Sequence, residues 1–269
     1  MMSSTPLLLL AFLLGSVQLV AQSRSGSSVQ AVPANLQLYL LAGQSNMAGR
    51  GEPADSDKQP NPHILMLNQN NQWVVATEPL HFDKPAVVGV GPGLAFARAM
   101  LAGDSTAFIG LIPVAVGGSA IDSWQPGGYH DQTKSYPYDD ALRRAKAALP
   151  SGTLRGILWH QGESDSKPEL VANYTEKLVT LINRFRQELA APNVPVVVGT
   201  LGDFFVAQNP AAVQINTQLR NLPTRLPHVA CIEATGLTDK GDQTHFDTPS
   251  ARELGRRYAE AMRKLQAKK

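Results

Sequence analysis

Five short apolar runs, at 36–41, 108–116, 154–159, 194–200 and 229–233, recur along the chain with longer helix-like stretches between them. Strands buried on both faces read as such runs, and their alternation with helices predicts a parallel sheet flanked by helices. Over 169–189, Leu170, Tyr174, Leu178, Leu181, Phe185 and Leu189 recur at spacings of three and four, the pattern of an amphipathic helix. Ala251, Leu254, Tyr258, Met262 and Leu265 repeat it near the C-terminus, where Thr248 reads as the N-cap and Pro249 sits in the first turn. The glycine-rich stretch 89–94 lacks the third fingerprint glycine of a dinucleotide loop, since Leu94 occupies that place. Pro92 and Gly93 instead open a helix running to Met100.

Three of the chemistry-bearing segments fall directly after these runs, and the fourth just ahead of the terminal helix. Gly-Gln-Ser-Asn-Met at 43–47 places Ser45 where a strand must turn sharply. A serine hydroxyl is a weak nucleophile near neutral pH and needs a base, for which imidazole is the usual choice. His245 is the candidate base, and Asp242, three residues earlier, is the nearest carboxylate on its N-terminal side that could fix its tautomer. Gly117 and Gly118 follow the second run, and adjacent glycines let backbone N–H groups approach a ligand oxygen. Trp-His-Gln-Gly-Glu-Ser at 159–164 gathers polar groups at the end of the third run. In open α/β sheets that end is where ligands bind.

In the chain order Ser45, Gly117-Gly118, Gln161-Gly162-Glu163 and Asp242-x-x-His245, the four segments resemble the SGNH hydrolase superfamily. More narrowly, the chain looks like the sialate O-acetylesterase-related branch, which includes the carbohydrate esterase family six acetyl xylan esterases. The resemblance spans 36 to about 262. It implies a three-layer α/β/α sandwich with a central, mostly parallel sheet, and removal of O-linked acetyl groups from sugars without a metal or other cofactor. Ser45 matches the nucleophile, His245 the base and Asp242 the acid, with Glu163 as the second candidate acid. Gly118 matches the glycine of the second block, and Gln161 stands where the wider superfamily carries an asparagine as oxyanion donor. The implied oxyanion hole is therefore Ser45, Gly118 and Gln161, and Gln44, Trp124 and His160 are the candidate substrate contacts. Trp124 can stack on a sugar ring or pack in the core.

Composition agrees with a globular enzyme, at 43% hydrophobic and 17% charged residues. A formal net charge of +2 argues against a nucleic-acid surface. The basic residues Arg252, Arg256, Arg257, Arg263, Lys264, Lys268 and Lys269 read as the solvated face of the terminal helix. His160, Glu163 and His245 do not form a metal-ligand set of the usual spacing, so no metal is expected. Residues 1–22 read as a signal peptide, 23–34 as a serine-rich disordered linker and 35–269 as one esterase domain. Secretion or periplasmic export follows, with no membrane anchor, because the single cysteine, Cys231, lies far from the leader inside a strand-like run and reads as a buried small hydrophobe. The segment 51–85 is expected to form a hairpin or a lid. Two rival functions stand beside the acetylesterase: a non-catalytic carbohydrate-binding protein on the same fold, and a GDSL-type lipase or thioesterase for longer acyl chains.

Overall fold

A computed structural model describes residues 1–2, 33–54 and 59–267. The chain divides into two units, Met1–Ala31 and Val32–Lys269, and all that follows concerns the second. The expected leader, apart from Met1 and Met2, and the linker up to residue 32 lie outside the described residues, as do Lys268 and Lys269. No helix among the described residues is long and apolar enough to cross a membrane.

In chain order the elements are β1 (Leu36–Gly43), α1 (Ser45–Ala48), β2 (Ile64–Leu67), β3 (Trp73–Val75), α2 (Pro92–Leu101), β4 (Ile109–Pro113), α3 (Pro137–Ala148), β5 (Gly152–His160), α4 (Pro168–Val171), α5 (Tyr174–Glu188), β6 (Val196–Gly199), α6 (Asp203–Gln208), α7 (Ala212–Arg225), β7 (Val229–Ile232) and α8 (Thr248–Ala267). The strands form one seven-stranded sheet in the order β3-β2-β4-β1-β5-β6-β7. Every neighbouring pair is parallel except β2 with β3.

Alternation of side chains along β1 shows why there are three layers. Leu36, Leu38, Leu40 and Ala42 face a core built with α3, α5 and α7, whereas Tyr39 and Leu41 face a second core built with α2 and α8. A central strand covered on both sides has no polar face, which is why 36–41 reads as an unbroken apolar run. Burying each of its leucines contributes about 1.5–3 kcal/mol.

Several local expectations change. The helix expected over 169–189 is two helices, α4 and α5, broken at Ala172 and Asn173; α5 buries the predicted Tyr174, Leu178, Leu181 and Phe185, whereas α4 buries Val171 rather than the expected Leu170. Thr248 does not cap α8, because its hydroxyl donates outward to the Glu52 carbonyl at 2.7 Å. Asp247 takes that place, its Oδ1 accepting the Ser250 N–H at 2.8 Å. Within 51–85, β2 and β3 form the hairpin and extend the sheet edge beside β4. Cys231 is only partly buried, on the edge strand β7, and burial pushes its thiol up to about 12. The basic residues of α8 pair along the helix itself, Arg256 and Arg257 with Glu253 and Lys264 with Glu260, while Arg257 also donates to the Glu233 and Thr235 carbonyls.

Candidate functional site

β1 lies where the strand order reverses, between β4 and β5, and the C-terminal ends of these three strands deliver the motif segments to one crevice. β1 ends at Gly43, whose φ of +127° lies in the region that disfavours side chains. A Cβ there would also stand 2.1 Å from the His160 carbonyl oxygen of β5. The Gln44 N–H donates to that same oxygen at 2.9 Å, and Ser45 then opens the one-turn helix α1. On the other side, pairing with β1 runs past the end of β4: the Val114 N–H donates to Leu41 O and the Val116 N–H to Gly43 O. This sets Gly117 and Gly118 beside the turn that carries Ser45.

A cleft of about 510 Å³ opens here, lined by Gln44, Ser45, Gly118, Glu163, Asp242 and His245, with Arg50, Lys84 and Lys240 also on its wall. Ser45 Oγ lies 3.0 Å from His245 Nε2, and His245 Nδ1 lies 2.8 Å from Asp242 Oδ2. An ionised carboxylate only accepts, so Nδ1 carries the proton and Nε2 is left to accept from the serine hydroxyl. Burial holds the His245 pKa below its ordinary value against the opposing pull of Asp242, so the ring is neutral at neutral pH. Asp242 would be raised by its partial burial, but hydrogen bonds from the His245 ring and backbone and the Thr244 N–H hold it below the usual carboxylate value. The arrangement can take a proton from Ser45 as its oxygen attacks. The backbone N–H groups of Ser45 and Gly118 donate to no protein acceptor among the described residues.

Glu163 also lines the cleft but has a different partner. Its Oε1 accepts from Asn46 Nδ2 at 2.5 Å, and burial pushes its pKa up to about 7. Gln44 remains on the wall, where its Oε1 accepts the Ser164 N–H at 3.3 Å.

Three expected site residues are not brought to the cleft. Gln161 is fully buried, and its Nε2 donates to Asp165 Oδ2 at 2.5 Å and Ser119 O at 3.1 Å. Both amide hydrogens are thereby engaged, leaving none for an oxyanion. Trp124 is a core residue rather than a sugar platform, edge-on to Trp159 with its indole N–H on Ser119 Oγ at 2.9 Å. His160 lies beneath the sheet end, its Nδ1 donating to Tyr258 Oη at 3.0 Å, and burial lowers its pKa to about 3.

Other residues had no assigned place in the sequence reading. Asn46 Nδ2 donates to the Thr244 carbonyl at 2.9 Å as well as to Glu163, while Asn46 Oδ1 accepts the Phe246 N–H at 3.1 Å, tying α1 to the backbone on both sides of His245. Its position next to Ser45 was the available signal. Arg50 and Asp83 form a buried ion pair at 2.7 Å, and Asp83 Oδ2 also accepts the Gly117 N–H at 2.8 Å. Nothing in the spacing of Asp83 marks it.

The family model for "Carbohydrate esterase, sialic acid-specific acetylesterase" matches residues 35–264. A probable carbohydrate esterase of Arabidopsis thaliana is 34% identical over 251 residues, 86% of this chain and 91% of its own length. Its crystal structure, 31% identical in the structural alignment, covers 86% of this chain and 99% of that one with a TM-score of 0.77. In fold the chain is also similar to NanS, at 20% identity over 88% of this chain and 99% of that one, with a TM-score of 0.72. A carbohydrate acetylesterase from Xanthomonas citri is 19% identical over 87% of this chain and 57% of its own, with a TM-score of 0.67. With nearly every residue beyond 34 inside the matched span, the chain belongs to the carbohydrate esterase, sialic acid-specific acetylesterase family.

Proposed function

We propose that the protein is a serine esterase that removes O-linked acetyl groups from sugars through an acetyl-serine intermediate, acting on acetylated xylan, O-acetyl sialic acid or a related glycan. The observation that carries this reading is the hydrogen-bonded line from Ser45 through His245 to Asp242, opening on a cleft beside Gly118. Ser45 Oγ bonds to the acetyl carbonyl carbon as His245 Nε2 takes its proton. The oxyanion is held by the backbone N–H groups of Ser45 and Gly118. As the tetrahedral intermediate collapses, the ester C–O bond breaks and the sugar oxygen leaves with the proton from His245. Water then attacks the acetyl-serine with the same base, and acetate departs.

Asp242 serves as the acid that orients His245. Glu163 acts through Asn46, and Gln44 contacts the substrate from the cleft wall. The apolar leader at 1–22 supports export from the cytoplasm. Intact Ser45, His245 and Asp242 weigh against a purely carbohydrate-binding role.

The test is acetate release from acetylated xylan, O-acetyl sialic acid and an aryl acetate, with the wild type beside Ser45→Ala. Release by the wild type that vanishes in the variant is expected. Wild-type release from none of the three would leave the binding-protein reading in its place.

A further inference from the structure

The Gly118 N–H and the Gly117 C=O belong to one planar peptide unit, so whatever fixes the carbonyl also aims the N–H on its opposite side. His130 Nε2 lies 3.2 Å from that carbonyl oxygen. A carbonyl only accepts, so the His130 proton sits on Nε2. The imidazole is buried at the base of a small hairpin closed by two backbone hydrogen bonds, from His130 N to Ser135 O and from Ser135 N to His130 O. The peptide units on either side are held by other groups: Asp83 Oδ2 accepts the Gly117 N–H at 2.8 Å, and Ser164 Oγ donates to the Gly118 carbonyl at 3.0 Å. The unit that carries the Gly118 N–H is held by His130. Gly118 itself, at φ +82°, supplies no side chain that could lock the turn.

We propose that His130 is a positioning residue for acyl transfer, aiming the Gly118 N–H at the developing oxyanion through the Gly117 carbonyl and strengthening it as a donor by polarising the shared amide. The proposal rests on the reading of Ser45 as nucleophile and Gly118 as oxyanion donor. Burial holds the His130 pKa below its ordinary value, which keeps the ring neutral.

The experiment compares wild type, His130→Ala, His130→Gln and Ser45→Ala in steady-state turnover of an aryl acetate. Alongside, it measures inhibition by a trifluoromethyl ketone, which forms an oxyanion on the serine, and by the matching acetamide, which does not, and records thermal unfolding of each variant. His130→Ala is expected to lower kcat by about 10–100-fold, less than the roughly 10²–10³ lost with a donor itself, with KM within about two-fold. The ketone should weaken by a similar factor, the acetamide should bind unchanged, and His130→Gln, which restores an N–H donor, should recover most of kcat. An unchanged kcat in His130→Ala overturns the proposal. So does a loss shared equally by KM and both inhibitors, with lowered thermal stability and no rescue by glutamine, since that is the signature of packing alone. Wild-type turnover that survives in Ser45→Ala would defeat the parent reading, and the serine control separates that failure from one confined to His130.

Discussion

Two carboxylates border the cleft, and their environments drive them apart. Asp242 accepts three hydrogen bonds and stays ionised, whereas Glu163 is buried, with Oε2 lacking a partner among the described residues. If Asp242 is the acid of the catalytic line, Asp242→Asn should lower kcat by about 10²–10⁴, because the amide no longer selects the productive tautomer. Glu163→Gln should cost far less, since the new amide oxygen still accepts from Asn46; equal losses in kcat assays would contradict this assignment. The acid limb of kcat/KM should fall below pH 6.5, the ordinary histidine value, because burial lowers the His245 pKa and the working form is neutral. A limb above that value in a pH–rate profile would count against His245 as the base. Glu163 also makes stability depend on pH. Its folded-state pKa is raised from 4.5 to about 7, so its contribution is present below 4.5 and lost as pH rises through 7. Denaturant titrations should therefore find Glu163→Gln more stable relative to wild type at pH 8 than at pH 4.

At the scale of elements, the site depends on how closely β1 and β5 approach at their C-terminal ends. Gly43→Ala places a methyl group against the His160 backbone oxygen at an unfavourable φ, and should destabilise the fold by more than about 3 kcal/mol in urea unfolding. A smaller effect would mean that the strand ends can part. The same contacts separate what was legible in the sequence from what was not. Doubly covered strands announce themselves as apolar runs, so the central sheet could be read directly. Ser45, Asp242 and His245 stand out as candidates because each lies in a short polar motif, but the choice between Asp242 and Glu163 as neighbour of His245 depends on how the loop before α8 folds back on β1. The direction of the Gln161 amide could not be read, because it is set by Ser119 and Asp165, which reach it only in the folded crevice. Trp124 offered two readings until Ser119 and Trp159 closed around it. The break between α4 and α5 falls at Ala172 and Asn173, neither of which is a helix breaker strong enough to announce it.

For the whole molecule, substrate choice follows from the crevice that the sheet order creates. Its wall combines Gln44, Arg50, Lys84, Ser164 and Lys240 with few apolar side chains, Val87 and Phe205 among them. Such a lining gives a hydroxylated ligand many polar partners, with Val87 and Phe205 the apolar side chains available to an acyl chain. Turnover of aryl esters should accordingly fall as the acyl group lengthens from acetyl to butyryl to octanoyl. A rise along that series would favour the lipase or thioesterase reading.

Asn46 adds a temporal consequence to its place in the crevice. It bridges two parts of the chain about 200 residues apart, so Ser45 and His245 are brought into register only once the C-terminal segment has closed onto β1. Closing a loop that long is among the slower events in the assembly of such a sheet. During refolding, regained hydrolysis should lag behind regained helical circular dichroism, and the enzyme's own turnover becomes a clock for the last step of its folding.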